Sequence, residues 1–275
     1  MKDTLFLCPH CGAKLLRDGG SVRCGRGHSY DYAKEGYLYL LDAGQKHSLS
    51  PGDDRQMVAA RAAFLAKGCY APLKETLLSL ACRYAPENAV FLDAGCGEGY
   101  YTAAIGEALA AAGKKPRTLA VDISKFAVKR AAKCCRDAET AVASVYRLPV
   151  ADECVDVLLD CFSPLAAEEF RRVLRPGGIF LYVVPGARHL YQMKEVLYDT
   201  PYENEERDED YGGFTLLATV PVTGSITLSS QEDIFSLFAM TPYGWKTPHE
   251  GKQRLRALAS LTTEIAFRVC VYRRD

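Results

Sequence analysis

Residues 88–113 read "NAVFLDAGCGEGYYTAAIGEALAAAG": an apolar strand, a glycine-rich turn and an amphipathic helix in unbroken succession. Gly95, Gly97 and Gly99 permit a tight turn and let the backbone come close to a ligand. The alternation then continues. "RTLAVDIS" reads as a second strand, "KFAVKRAAKCCRDA" as a second helix, "TAVASV" as a third strand and "CVDVLLDCFSP" as a fourth. "AAEEFRRVLRPGG" reads as a helix ending at Pro-Gly-Gly, and "IFLYVVPG" as a fifth strand. Strand and helix in alternation predict an α/β chain with a doubly wound, parallel sheet. Ahead of it, "PGDDRQMVAARAAFLAKGCYAPLKETLLSLACRYAP" predicts two helices. Asp53 or Asp54 caps the first, Gly68 ends it, Tyr70 and Pro72 open the second, and Pro86 follows its end.

A lone Gly-x-Gly-x-Gly would serve a dinucleotide equally well. Three further features bear on the ligand. Asp93 ends the first strand just before the turn. Asp122 ends the second, where an acid takes ribose hydroxyls; the plainer reading is a helix cap. "LRPGG" precedes the fifth strand. A pyrophosphate favours bare amides at a helix N-terminus, and Glu98 puts a further negative charge beside the turn. The combination resembles the Rossmann-like S-adenosylmethionine methyltransferases, whose acid-rich turn suits a cationic sulfonium. Cys96 reads as a small turn residue rather than a nucleophile.

The chain opens with a second constraint. "CPHCGAKLLRDGGSVRCGRGH" places Cys8 and Cys11 two residues apart, then twelve residues, then Cys24 and His28. Two such pairs around a short glycine turn meet the needs of a tetrahedral zinc, with His10 as the spare imidazole. Asp18-Gly19-Gly20 predicts the hairpin that brings the pairs together. The competing reading is a disulfide or loose thiols. The chain has 11 cysteines, an odd number, and the eight outside the cluster show no framework spacing, which fits a reducing compartment. "MKDTLFLCPHC" predicts neither a signal peptide nor an anchor, and no apolar run is long enough to span a bilayer, so the expectation is a cytoplasmic protein with no membrane partner.

Net charge is zero and hydrophobic content 48%, ample for a packed core and without a global nucleic-acid signal. "DTPYENEERDEDY" carries seven acids against Arg207 alone and reads as a solvated loop. Residues 1–46 carry +2 and residues 246–275 carry +4, too little to establish RNA binding alone.

The fusion of zinc knuckles to such a domain resembles the 23S rRNA (guanine-N1)-methyltransferases of the large-subunit methyltransferase A type. "CPHCG", "AKEGYLYLL", "RAAFL", "LDAGCGEGYYT", "VDISKFAVKRAAK", "PGARHL" and "MTPYGW" carry the resemblance across nearly the whole chain. It implies a seven-stranded S-adenosylmethionine methyltransferase fold, and divides the chain into a zinc-binding RNA-docking module (1–46), a helical linker (47–86) and a methyltransferase domain (87–275). The partner would be a hairpin of 23S ribosomal RNA, with a homodimer as a further assembly to test. Residue by residue, it places cofactor contacts at Tyr70, Gly97, Glu98 and His189, to which the physical reading adds Asp93, Gly95 and Asp122. Guanine N1 must lose a proton, and Asp160 at the fourth strand's end is the carboxylate at hand. Tyr100, Tyr243 and Trp245 are candidates to stack on the base, with ordinary packing as the alternative. A small-molecule methyltransferase with a structural zinc module is the competing function, and a non-catalytic adaptor a third.

Overall fold

The computed structural model describes residues 3–42, 44, 51–207 and 210–275, without the side chains of Trp245 and Lys246. The 46/47 boundary, Asp208, Glu209 and the Trp245 side chain therefore lie outside the described residues. A small sheet comes first: β1 (Leu15–Asp18), β2 (Ser21–Cys24) and β3 (Ser29–Asp31), antiparallel throughout. The expected hairpin turns at Gly19-Gly20. Then β4 (Leu38–Tyr39) leads to two helices, α1 (Arg55–Ala66) and α2 (Ala71–Tyr84). Of the two candidate caps, Asp54 is the one that starts α1, its carboxylate accepting from the amides of Gln56 and Met57 at 2.7 and 2.9 Å.

The alternating body follows as β5 (Val90–Ala94), α3 (Tyr100–Ala111), β6 (Arg117–Asp122), α4 (Lys125–Cys134), β7 (Ala138–Val142), β8 (Val155–Cys161), α5 (Ala167–Val173) and β9 (Leu174–Pro185). The remaining elements are α6 (Tyr191–Leu197), β10 (Phe214–Leu228), α7 (Gln231–Ala239), α8 (Tyr243–Lys246), α9 (His249–Ala257) and β11 (Leu261–Arg274). One point departs from the sequence reading: Arg-Pro-Gly-Gly belongs to the start of β9, because Leu174 already pairs with Val155.

The main sheet runs β10-β11-β9-β8-β5-β6-β7-β4. Seven of these strands are the expected set. The eighth, β4, comes from the N-terminal module and pairs parallel to β7, Leu38 with Ala141 and Tyr39 with Val142. Strand alternation sends Phe91, Val157, Leu159, Ile179 and Leu181 to one face, packed with residues of α2, α3 and α6. Leu92, Leu119, Leu158 and Phe180 go to the other face, and there they share one core with Phe6, Leu15, Val22, Leu38 and Leu40 of the module. The module is thus fused to the sheet rather than tethered beside it. Leu7 N–H donates to Pro149 O at 2.7 Å, and Glu139 accepts from Thr4 Oγ1, Leu5 N–H and Arg117 Nη2, which stitches the residues ahead of β1 to β7 and to the segment before β8.

Candidate functional site

The C-terminal ends of β5, β6 and β8 meet at one rim, where open parallel sheets hold their ligands. Gly95 turns there with φ +89°, and a Cβ on it would come within 2.2 Å of Ser163 Cβ, so only glycine fits. Asp122 organises this turn: its Oδ2 accepts from Gly97 N–H at 2.9 Å and its Oδ1 from Ser124 N–H at 2.7 Å. The helix cap is Ser124, whose hydroxyl accepts from Ala127 N–H at 3.3 Å. Each Asp122 oxygen keeps a lone pair for a further donor.

Around the turn, carboxylates are buried beyond what their pairing offsets. Asp93 is buried, with Oδ2 accepting from Thr102 Oγ1 at 2.5 Å and Oδ1 without a partner. Asp160 is fully buried; its Oδ1 accepts from Ser163 N–H at 3.0 Å and lies 2.8 Å from Ser163 Oγ, while Oδ2 has no partner. Burial pushes both up to about 7. Burial also raises Glu98 and Asp122. Orphaned acceptors in a cluster of acids fit a cationic ligand that carries hydroxyl and amine donors. The sulfonium, ammonium and ribose of S-adenosylmethionine answer that description, and Asp93, Gly95, Gly97, Glu98 and Asp122 are the residues that would hold it.

A strap crosses the rim ahead of α1. Gly52 sits so close to Ile123 that a Cβ would come within 2.8 Å of Ile123 Cγ2. Ser124 Oγ donates to Asp53 O at 2.6 Å, and Asp53 holds Arg61 in a half-buried ion pair. The guanidinium stands over the turn, 3.9 Å from where a Gly97 Cβ would lie, and acts electrostatically on Glu98 and Asp122. The sequence reading did not single out Arg61 as a site residue. The spacing of Asp53 and Arg61 about a helix start was its one local signal.

Tyr70 and His189, expected as cofactor contacts, are brought together at the same end of the sheet. Tyr70 Oη lies 3.5 Å from His189 Nε2, and both rings pack on Phe267. His189 Nδ1 accepts from Ala266 N–H at 3.3 Å, so Nε2 carries the hydrogen. Burial and the charge of Lys194 push the imidazole down to about 3, so it is neutral and adds no positive charge to repel a cation. Tyr70 is a buried core aromatic in this arrangement. Phe162, unremarked in the sequence, lies against His189 with its ring half exposed.

The base-stacking candidates fare differently. Tyr243 is buried beside Tyr198, so ordinary packing accounts for it. Tyr100 is half-buried beneath Lys74. The acidic stretch is also less free than expected. Glu203 pairs with Arg188 at 3.1 Å, Asp199 with Arg254 at 3.1 Å and Glu206 with Arg268 at 3.8 Å, which ties it to the loop preceding His189, to α9 and to β11.

In the N-terminal module, ligand atoms of Cys8, Cys11, Cys24 and His28 all lie within 4.8 Å of one another. Cys11 Sγ is 3.8 Å from Cys24 Sγ, and His28 Nδ1 is 3.3 Å from Cys24 Sγ and 3.5 Å from Cys8 Sγ. A tetrahedron with Zn–S of about 2.3 Å and Zn–N of about 2.0–2.1 Å has S···S edges of about 3.8 Å and S···N edges of about 3.5 Å. The donor set fits zinc in kind and spacing. Four protein ligands leave no open position, the structural rather than the catalytic pattern. Tyr30 Oη lies 3.3 Å from Cys8 Sγ, and His10 packs edge-on against His28. His10 is not among the ligands.

Comparison with known proteins agrees with both halves. Residues 6–49 match the zinc-ribbon family model described as "RlmA, N-terminal", and residues 92–182 match "Methyltransferase domain". The 23S rRNA (guanine(748)-N(1))-methyltransferase of Streptomyces fradiae is 34% identical, over 96% of this chain and 95% of its own length. Two relatives named provisionally as 23S rRNA (guanine-N(1)-)-methyltransferases are similar along almost their full lengths. That of Micromonospora griseorubida is 34% identical over 97% of this chain and 96% of its own. That of Bacillus subtilis is 30% identical over 94% of this chain and 93% of its own.

Proposed function

The chain belongs to the 23S rRNA (guanine-N1)-methyltransferase family, and on that footing we propose that it transfers a methyl group from S-adenosylmethionine to N1 of a guanine in a hairpin loop of 23S ribosomal RNA. The observation that carries this reading is likeness along nearly the whole length to relatives so named, together with this chain's matches to the zinc-ribbon and methyltransferase family models. The competing reading, a small-molecule methyltransferase with a structural zinc module, is not favoured by these relatives.

S-adenosylmethionine, when bound, supplies an electrophilic methyl on a sulfonium that leaves readily. The chain's own task is then positioning. The acids at the turn make the rim attractive to a cation, and Asp122 fixes the Gly97 amide while keeping lone pairs for hydroxyls. His189, neutral and with its hydrogen on Nε2, is a donor to the cofactor beside Tyr70. Asp160 is our assignment for the acceptor of the N1 proton: burial holds it near 7, the range in which a base both binds and releases a proton at physiological pH. Zinc takes no part in the transfer. It holds the ribbon that docks the RNA, with Arg17, Arg23 and Arg26 as phosphate contacts.

On this reading the protein works in the cytoplasm with the ribosome. Separately, no described helix is long and apolar enough to cross a membrane. A homodimer is the proposed assembly to check by light scattering. N1 methylation blocks base pairing, so reverse transcription on rRNA from cells with the protein should stop one nucleotide before the modified guanine. Cells without it should read through. Identical stops in both would refute the assignment.

A further inference from the structure

We propose that Phe162 is the platform on which the target base stacks, an inference that rests on the rRNA reading above. Phe162 directly follows Asp160 and Cys161, where β8 reaches the rim. Its backbone is left-handed, with φ +62°, a conformation that bulky side chains rarely adopt. The residue is 47% exposed, although β8, which leads directly into it, is buried from Val155 to Asp160. An exposed aromatic held in an unfavourable backbone conformation is retained only where its surroundings impose it.

Those surroundings are visible. Ser163 pins one side, its amide donating to Asp160 Oδ1 and its hydroxyl 2.8 Å from Ala94 O, with Gly95 pressed against it. The inner side of the ring rests on His189, centroids 6.3 Å apart and planes 27° from parallel, and on Phe267 at 5.7 Å. His189 is itself fixed from below by the Ala266 amide. The next residue, Leu190, is also left-handed, with φ +56°, and its amide donates to Glu264 O at 2.9 Å. Two strained residues thus present one aromatic ring to solvent, next to the Asp160 that we assign to the N1 proton.

A flat apolar face that is open on one side and rigidly backed on the other recognises a planar heteroaromatic ring. Stacking of this kind holds a base that has left its helix without reading its identity. Of the rings considered as stackers whose side chains are described, neither offers this: Tyr243 is buried and Tyr100 lies under Lys74.

The test uses Phe162→Gly, Phe162→Leu and Phe162→Tyr in the full chain. Phe162→Gly removes the ring and relieves the left-handed backbone, so the protein should melt at the same temperature or higher. Calorimetry should find S-adenosylmethionine affinity unchanged, while kcat/KM on a 23S rRNA transcript falls roughly five- to a hundredfold. Phe162→Leu, apolar but without a π face, should fall in the same direction, and Phe162→Tyr should restore activity. Wild-type activity in Phe162→Gly would overturn the inference. A loss of cofactor affinity as large as the loss of activity would overturn it too, making Phe162 a cover for the cofactor. A wild type that leaves 23S rRNA unmethylated while binding S-adenosylmethionine would instead overturn the rRNA reading, and this inference with it.

Discussion

The zinc ribbon and the rim of the main sheet both gather polar atoms in a protein interior, and they treat them oppositely. In the ribbon, four donors point at one centre, an apolar shell surrounds them, and nothing is left over. At the rim, Asp93 Oδ1, Asp160 Oδ2 and Tyr101 Oη are buried without partners, and Phe162 and Leu190 hold left-handed backbones. A closed donor set stabilises the fold. A set with orphaned acceptors and strained neighbours costs stability, and it persists where a ligand completes it.

The largest effect should come from opening the closed set. Cys24→Ser should release the zinc, and structural zinc sites contribute on the order of 10 kcal/mol to folding of small modules. Since Phe6, Leu15 and Leu38 share a core with Leu92 and Leu119, the whole protein should melt earlier and in one transition. Calorimetry that found a separate early step, with the main transition unmoved, would show the ribbon to be independent of the sheet.

Next in size is Asp122→Ala. It removes an acceptor from the Gly97 amide as well as from the cofactor, and charged hydrogen bonds of this kind are worth about 1.5–3 kcal/mol. Titration should show S-adenosylmethionine binding weakened by at least tenfold (about 1.4 kcal/mol). An unchanged affinity would remove Asp122 from the site.

Asp93→Asn should act in the opposite direction on the fold. An acid raised from an ordinary value near 3.9 to about 7 binds its proton more tightly folded than unfolded. Its contribution to stability is therefore full below about pH 4 and is lost as pH rises through 7. The amide carries no charge to bury, so the variant should be more stable than wild type by on the order of 1–2 kcal/mol at pH 8 and should not differ at pH 4. Denaturant melts at the two values would read this. A variant less stable at pH 8 would mean that Asp93 is satisfied by the protein alone.

The smallest effect belongs to the strap. Arg61→Gln breaks a half-buried pair with Asp53, worth about 1 kcal/mol or less. Hydrogen exchange should rise in the amides around 51–61. Unaltered exchange would mean that the strap is held by Gly52 and Ser124 alone.

How much of this could be read from the sequence follows the range of the interactions. Knuckle spacing, the Gly19-Gly20 hairpin and the strand–turn–helix around Gly95 are set within a few residues, and the structure has them where the sequence put them. Strand-end acids were legible because strand ends were. The two-residue β4 carries no periodicity; its place beside β7 is decided by residues a hundred positions away. The burial of Tyr243 and the position of Arg61 over Gly97 depend equally on long-range packing. Phe162 lies inside a stretch that reads as plain strand, and only its backbone angle sets it apart.

Methylation of guanine N1 in ribosomal RNA is the reaction to which the rim and the relatives point. Its most direct test is to incubate the purified, zinc-loaded protein with unmodified 23S rRNA and S-adenosylmethionine, digest the RNA to nucleosides and identify the methylated product by mass spectrometry against standards. The expected product is 1-methylguanosine, formed by the wild type and lost in Asp122→Ala. A different methylated nucleoside, or no methylated nucleoside from a protein that binds the cofactor, would contradict it.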